Sequence, residues 1–240
     1  MWCKHCNVET NEKKCPICGG TTIEDLPIEV YWCKHCNTPI IQATNQVDKG
    51  ICPLCGKKTK YMTTDLRPVF PEERLLLEIL LDKKPHEFIK SSVWAVNNRY
   101  YIDGKSVSIP SSLFQSVDTE VITKKIKEYK SENTYKYFNE YIRIFIEANR
   151  NRLNYLKNES FDFVRKTASK FDEEKVVISF SGGKDSTVTA DVVTKALSNP
   201  SLVHIFGNTT LEFPSTVMYA ERFRENHPQA IFLFAQNDEQ

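Results

Sequence analysis

The chain has no cysteine after Cys55, although eight stand between Cys3 and that point. Its first residues, "MWCKHCNVET", contain no basic stretch followed by an apolar one, so no secretion signal is expected. Without such a signal, cysteines crowded at one end point to metal rather than to disulfides. An excess of charge is also missing: the net charge is +1 over 240 residues. No global basic field advertises nucleic acid, and any such contact needs a local patch. No apolar run approaches the roughly 20 residues of a membrane span. These absences lead to the expectation of a cytoplasmic protein with no membrane partner. The length suffices for one large domain or two small ones with cores of their own.

What is present begins with a repeat. "WCKHCN" occurs at 2–7 and again at 32–37, followed by "CPICGG" at 15–20 and "CPLCGK" at 52–57. Cys3, Cys6, Cys15 and Cys18 form one set, and Cys33, Cys36, Cys52 and Cys55 a second. Two residues between cysteines let both sulfurs of a tight knuckle point at one ion, and two knuckles complete a tetrahedral sulfur site of the kind Zn²⁺ favours. Units this small cannot fold on their apolar residues alone, so metal binding would supply folding free energy. The expectation is two structural zinc ribbons, with an iron–sulfur cluster as the chemical competitor and redox disulfides behind it. His5 and His35, inside the knuckles, read as spectators because each site already has four cysteines. Lys4, Lys34, Lys57, Lys58 and Lys60 beside Trp2, Trp32 and Tyr61 suit a phosphate-and-stacking contact with RNA or DNA. A solvated lysine face on a structural ribbon explains them equally well.

Further along, Pro68 and Pro71 mark a linker, with Pro71 at the start of a helix running to about Leu81. "SSVWAVNNRYYIDGKSVSIP" at 91–110 reads as short strands joined at Asn97-Asn98 and Asp103-Gly104. Residues 66–130 form a small mixed α/β module whose function is not legible. From Asn133 to Lys170 the pattern turns helical: Phe138, Tyr141, Ile142, Phe145, Ile146, Asn149, Leu153 and Leu156 recur at three- and four-residue spacing, a helix-packing stripe. The last section alternates: strand at "KVVISF", helix at "KDSTVTADVVTKAL", strand at "LVHIF", helix at "PSTVMYAERFRENH", strand at "AIFLFA". Such alternation implies right-handed crossovers and a parallel sheet. Three strands make half of a usual nucleotide-binding sheet and leave an edge open. Either the sequence is truncated, or another chain or the middle module covers that edge.

Between the first of these strands and helices lies "SFSGGKDST", 179–187. Asp185 follows the Gly-Lys, where a Walker A loop has Ser or Thr. Gly182 and Gly183 are expected to open backbone conformations closed to other residues. Their N–H groups can then converge on an anion, and the following helix adds its dipole and free N–H groups. Ser181, Ser186 and Thr187 add hydroxyls and Lys184 adds charge.

Ser-Gly-Gly-Lys-Asp-Ser at 181–186, after an apolar strand and before a helix, resembles the PP-loop of the adenine-nucleotide alpha-hydrolase superfamily. A second stretch, "HIFGNTTLEFPST" at 204–216, resembles the segment after the second strand in phosphoadenosine phosphosulfate (PAPS) reductases and related ATP sulfurylase small subunits. The pattern there is Asp-Thr-Gly-x-x-Phe-Pro-Glu-Thr. Here Asn208, Thr210 and Ser215 replace its Asp, Gly and Glu, while Thr209, Phe213, Pro214 and Thr216 keep it. Ribbons and a middle module ahead of the loop are similar to the layout of archaeal-type members of this reductase-like family.

The resemblance implies an α/β fold: a parallel-sheet PP-loop domain of HUP or Rossmann-like type at 131–240, incomplete at its C-terminus. It would be preceded by four-cysteine zinc ribbons at 1–24 and 25–65 and the α/β module at 66–130. It implies an adenine nucleotide, ATP or PAPS, held by Ser181, Gly182, Gly183, Lys184, Ser186 and Thr187, with Asn208 and Thr209 at the carboxyl edge of the sheet. Asp185 would help position Mg²⁺ or act as the helix N-cap. Phe213 and Pro214 would border the nucleotide, while His204, within a strand, is expected to belong to the core. The enzyme class expected is a PAPS reductase-like or ATP-pyrophosphatase-type activity in sulfur metabolism. Reductases of this family carry a nucleophilic cysteine near the C-terminus, and none follows Cys55 here, so reductive transfer by this chain alone is not expected. Two other readings stand beside it: an ATP-dependent sulfur-modification enzyme that holds RNA or DNA through its ribbons, and a non-catalytic nucleotide-binding subunit completed by a partner chain.

Overall fold

The computed structural model describes the chain except for residues 1, 4, 7, 11, 24–27, 45, 47, 97–98, 111, 114–117, 130–132 and 237–240, and except for the side chains of Trp2, Val8, Glu9, Glu173 and Gln236. The Asn97-Asn98 turn, Lys4, the Trp2 side chain and the boundaries at 24/25 and 130/131 lie outside the described residues. The chain divides into two compact units, Met1–Arg152 and Leu153–Gln240.

The first unit opens with a two-stranded ribbon, β1 (Trp2–Cys3) antiparallel to β2 (Val8–Glu9). A second ribbon follows, with β3 (Ile28–Cys33) between β4 (Thr38–Ala43) and β5 (Lys60–Thr63). Gln42, 1% exposed, ties this sheet to the second knuckle: its amide donates to Ile51 O at 3.1 Å and accepts Gly50 N at 2.8 Å. Next come β6 (Arg67–Pro68), α1 (Pro71–Leu80), β7 (Val93–Val96), β8 (Arg99–Ile102) and β9 (Lys105–Ser108). The four strands make an antiparallel sheet in the order β6-β7-β8-β9. Pro71 starts α1 as expected, with Glu72 and Glu73 in its first turn, where the helix dipole favours them. The buried Glu78 carboxylate accepts the His86 and Phe88 N–H groups, each at 2.7 Å, and so pins the loop after α1.

Three contacts join the second ribbon to this sheet and to α3 (Thr134–Ala148), the helix that follows α2 (Thr119–Tyr129). Asn149, the C-cap of α3, serves as a substitute strand for the free edge of β4: its Oδ1 accepts Ile41 N at 2.6 Å and its Nδ2 donates to Pro39 O at 2.9 Å. Trp32, only 6% exposed, packs in one cluster with Trp94, Tyr101, Ile142 and Phe145. It is therefore closed to base stacking, a correction to the expected contact surface. The reason is local shape. The β8–β9 turn takes Asp103 to φ 48° and Gly104 to φ 77°, the left-handed pair that a tight hairpin requires. A Cβ on Gly104 would collide with the Trp32 indole ring. Asp103 Oδ1 also accepts Asn37 Nδ2 at 2.6 Å and Ser92 N at 2.9 Å.

The second unit begins within α4 (Arg150–Ala168) and contains β10 (Val177–Ser179), α5 (Lys184–Leu197), β11 (Val203–Asn208), α6 (Pro214–Asn226) and β12 (Ile231–Gln236). The three strands are parallel, in the order β10-β11-β12. Two consecutive right-handed crossovers running in one direction place both helices on one face. Alternate residues follow: Ile178, Phe180, His204, Phe206, Phe232 and Phe234 pack on the face that holds Ala190 of α5 and Ala220 and Phe223 of α6. Val177, Ile231 and Leu233 are exposed, as the opposite pleat requires. Among the described residues no further strand borders β10 or β12.

His204 is 2% exposed, hydrogen-bonded through Nδ1 to Leu202 O at 2.9 Å and stacked on Phe232. It is a core residue, as expected. Burial lowers its pKa, with a smaller push from His227.

Gly104→Ala should cost about 2–4 kcal/mol, read as a lower urea midpoint, because the new methyl meets the Trp32 ring. In the second unit the neutral His204 ring contributes stability that is full above pH 6.5, its ordinary pKa. That stability declines as the unfolded chain takes up the proton below that value, until the pH passes the lowered folded pKa. His204→Phe should flatten this acid-side slope in pH-dependent melting; an unchanged slope would place the loss elsewhere.

Candidate functional site

Each repeat brings its four cysteines together. Cys3, Cys6, Cys15 and Cys18 form one group and Cys33, Cys36, Cys52 and Cys55 another, all sulfurs in a group lying within 4.8 Å of one another. Cys3 and Cys18 sulfurs are 3.6 Å apart, Cys33 and Cys55 3.5 Å, Cys36 and Cys52 3.9 Å. An ion bonded to four sulfurs at about 2.3 Å sets them about 3.8 Å apart, so both clusters fit a tetrahedral divalent ion such as zinc. The knuckle backbone prepares this: Cys6 N donates to Cys3 Sγ and Cys36 N to Cys33 Sγ, each at 3.4 Å. The thiols oppose joint ionisation without a cation. Cys6 is pushed up to about 12 by hydrogen bonding to Cys18 and then by burial. Burial pushes Cys36 up as well. Cys15 and Cys55 are drawn down to about 7, first by the N–H groups of Cys18 and Lys57 respectively.

Neither histidine joins a sulfur group, and His35 Nδ1 lies 3.0 Å from Lys57 Nζ. Lys34, Lys57, Lys58 and Lys60 line the described surface of the second ribbon, with Tyr61 51% exposed among them.

The glycine loop lies at the carboxyl end of β10. Gly182 has φ 73°, a conformation glycine alone adopts readily, and a Cβ there would come within 3.0 Å of Thr216 Cγ2. Gly183 differs from expectation. It is the N-cap of α5 at φ −81° and ψ 167°, an extended conformation open to any residue. A Cβ on it would meet only Ser181 Oγ, at 3.5 Å. Gly182 thus makes the turn, and Gly183 leaves the space in front of the helix clear.

Three donors converge on the Gly183 carbonyl: Thr187 N at 3.1 Å, Thr187 Oγ1 at 2.8 Å and Ser186 Oγ at 3.0 Å. Ser181 Oγ donates to Ser186 Oγ at 3.1 Å. The Ser186 and Thr187 hydroxyl protons therefore point into the loop. No side chain caps the helix, so Asp185 is not its N-cap but a first-turn residue. It is 91% exposed and 3.7 Å from Lys184, itself 90% exposed. The N–H groups of the first turn have no acceptor within the helix, and they face outward with the dipole behind them.

Asn208 and Thr209 lie at the end of β11, the strand next to β10, so both loops leave the same edge of the sheet. Asn208 Oδ1 accepts Thr210 N at 3.0 Å, and Thr209 Oγ1 donates to Glu212 Oε1 at 3.1 Å. Leu211 and Phe213 are 85% and 77% exposed beside them. Sequence reasoning missed Tyr219, whose hydroxyl lies 3.1 Å from Thr187 Oγ1. Its only signal is that it stands three residues, one helical turn, after Thr216.

The sulfur geometry predicts two zinc ions per chain by elemental mass spectrometry. Replacing Cys33 and Cys36 by Ser should remove one ion and perturb tryptophan fluorescence, since Trp32 adjoins Cys33 and packs on Trp94. Trp2 stands next to Cys3 as Trp32 stands next to Cys33, so the comparison is made in a Trp2→Phe background: there, replacing Cys3 and Cys6 should remove the other ion and leave the emission of Trp32 and Trp94 largely unchanged.

The family model of the phosphoadenosine phosphosulfate reductase domain matches residues 175–240. An uncharacterized protein of Methanocaldococcus jannaschii is 30% identical over 105 residues, which cover 44% of this chain and 22% of that protein. No solved structure matches. No helix among the described residues is long and apolar enough to cross a membrane. The segment matched by the family model is the one that carries β10, β11 and β12, with the Ser181–Thr187 loop in its first crossover.

Proposed function

We propose that this chain binds an adenine nucleotide, ATP or PAPS, at the start of α5, and that the bound molecule serves sulfur metabolism. The observation that carries the reading is the uncapped helix start behind a glycine turn, at the carboxyl edge of parallel strands. Backbone N–H groups from 183–186 would take the pyrophosphate or phosphate oxygens. Lys184 adds charge from the rim, Asp185 offers a carboxylate to Mg²⁺, and Asn208 and Thr209 face the same edge. The exposed side chains of Phe213 and Leu211 offer apolar surface for the base. Zinc in both sulfur clusters acts structurally, holding ribbons too small for a core.

A thiolate for reductive transfer is a separate matter. All eight cysteines of this chain sit in the two clusters, where metal would claim them. The reading therefore assigns this chain nucleotide binding and leaves any sulfur-attacking thiol to another source. A second reading, ATP-dependent thiolation of RNA or DNA, is favoured by Lys34, Lys57, Lys58 and Lys60 beside the exposed Tyr61.

Calorimetric titration of the zinc-loaded chain with ATP and with PAPS, each with and without Mg²⁺, tests the proposal. Saturable binding of one of them is expected, and binding of neither would sink it. Preference for ATP would move the chemistry toward adenylation. Gly183→Val is the matched control: the backbone there accepts a side chain, so folding and zinc content should survive. Its methyl groups would fill the space in front of the N–H groups, and affinity should fall at least about a hundredfold, as when several charge-assisted hydrogen bonds are lost. Undiminished binding would place the ligand elsewhere.

A further inference from the structure

The structure assigns α6 a function in the loop site: its first turns fix the shape of the glycine loop, through Thr216 against Gly182 and Tyr219 on Thr187, without touching the ligand. For its ligand this inference rests on the nucleotide reading above.

A planar peptide bond couples the two groups that matter. In the Gly183–Lys184 peptide the carbonyl and the N–H point in opposite directions. Fixing the carbonyl toward the helix body therefore fixes the N–H outward. The Gly183 carbonyl is fixed by the three donors from Ser186 and Thr187. The shortest of these bonds comes from Thr187 Oγ1, at 2.8 Å. A threonine hydroxyl has one proton and rotates freely unless something selects its direction. Tyr219 OH, 3.1 Å from Thr187 Oγ1, makes that selection by donating to it and leaving the threonine proton for Gly183 O.

Tyr219 is itself held. Its ring stacks on the buried Phe180 at 6.3 Å and 16°, and the Arg222 guanidinium lies 5.8 Å from its centroid. One helical turn earlier, Thr216 stands where any Cβ on Gly182 would intrude, 3.0 Å from its methyl and 3.4 Å from its carbonyl. Pro214, at the first position of α6 after the Phe213 N-cap, sets where this turn begins. The Phe-Pro-x-Thr stretch thus gains a physical role: it places a two-point wall behind the loop. An anion then meets N–H groups already aimed, and binding is spared part of the ordering cost.

Tyr219 is a positioning residue, and two readouts on the full zinc-loaded chain test it. The first is hydrogen exchange without ligand. Tyr219→Phe keeps the ring and removes the hydroxyl. The amides from Thr187 onward in the first turns of α5 should exchange about two- to tenfold faster, with β11 and β12 unchanged. The second is titration with inorganic pyrophosphate and with ATP. Tyr219→Phe and Thr187→Val should each weaken binding, the double variant should be no weaker than Thr187→Val alone, and Thr187→Ser should stay near wild type. That non-additivity is the mark of Tyr219 acting through Thr187. Unchanged exchange in Tyr219→Phe overturns the inference, as do additive affinity losses. If wild type binds neither probe, the nucleotide reading fails, and exchange still decides whether α6 sets the loop.

Discussion

The backbone N–H groups at the start of α5 are the constraint around which the second unit is organised. A helix start leaves donors that must find partners, and most helices supply a side-chain oxygen for them. Here the capping position is Gly183, which has none. The hydroxyls that stand nearest, Ser186 and Thr187, turn instead toward the Gly183 carbonyl. The unit thus uses its polar side chains to stiffen the loop and leaves the donors for something else. Phe180, 1% exposed just past the end of β10 and packed among other aromatic rings, gives the loop a rigid origin.

The first unit rests on a different constraint, the mutual repulsion of four thiolates held within one small volume. Shared hydrogen bonds and burial push Cys6 and Cys36 upward while neighbouring N–H groups draw Cys15 and Cys55 down. A divalent ion would reconcile these demands by taking all four as ligands. In the second ribbon the consequence travels beyond the sulfurs. Cys33 is preceded by Trp32, the ring that meets Gly104, Trp94 and Tyr101. The ribbon's order and that of the antiparallel sheet are thereby one problem of packing, and a single methyl at Gly104 would disturb both.

Local signals in the sequence carry far in this protein because they have short-range causes. The Cys-x-x-Cys spacing, Pro71 at a helix start, the Asp103-Gly104 turn and the strand–helix alternation after Lys175 each depend on neighbours in the chain. What stayed hidden depends on distant partners. Asn149 reads as one more position on a helical stripe, yet its amide completes the edge of β4, 108 residues earlier at Ile41. Trp32, beside lysines, reads as a stacking surface, and only the hairpin at Gly104 shows that it is covered. Two adjacent glycines look alike on paper; the sign of φ separates Gly182 from Gly183. Tyr219 carries no signal of its own, because its partner is determined by how α6 lies across the sheet.

That last case bears on how the motif residues divide their labour. A side chain can serve an anion by contacting it or by holding the backbone that contacts it. In this loop the hydroxyls of Ser181, Ser186 and Thr187 are linked to one carbonyl, and the network ends on a half-buried aromatic residue of another helix. Such a network transmits rigidity, and each member is worth more with the others present. The charged pair Lys184 and Asp185, nearly fully exposed, has no such support. Water screens it, and its worth as a fixed contact is small. On the proposed nucleotide reading, affinity should therefore reside in the backbone and in what holds the backbone, rather than in the conspicuous charges of the motif.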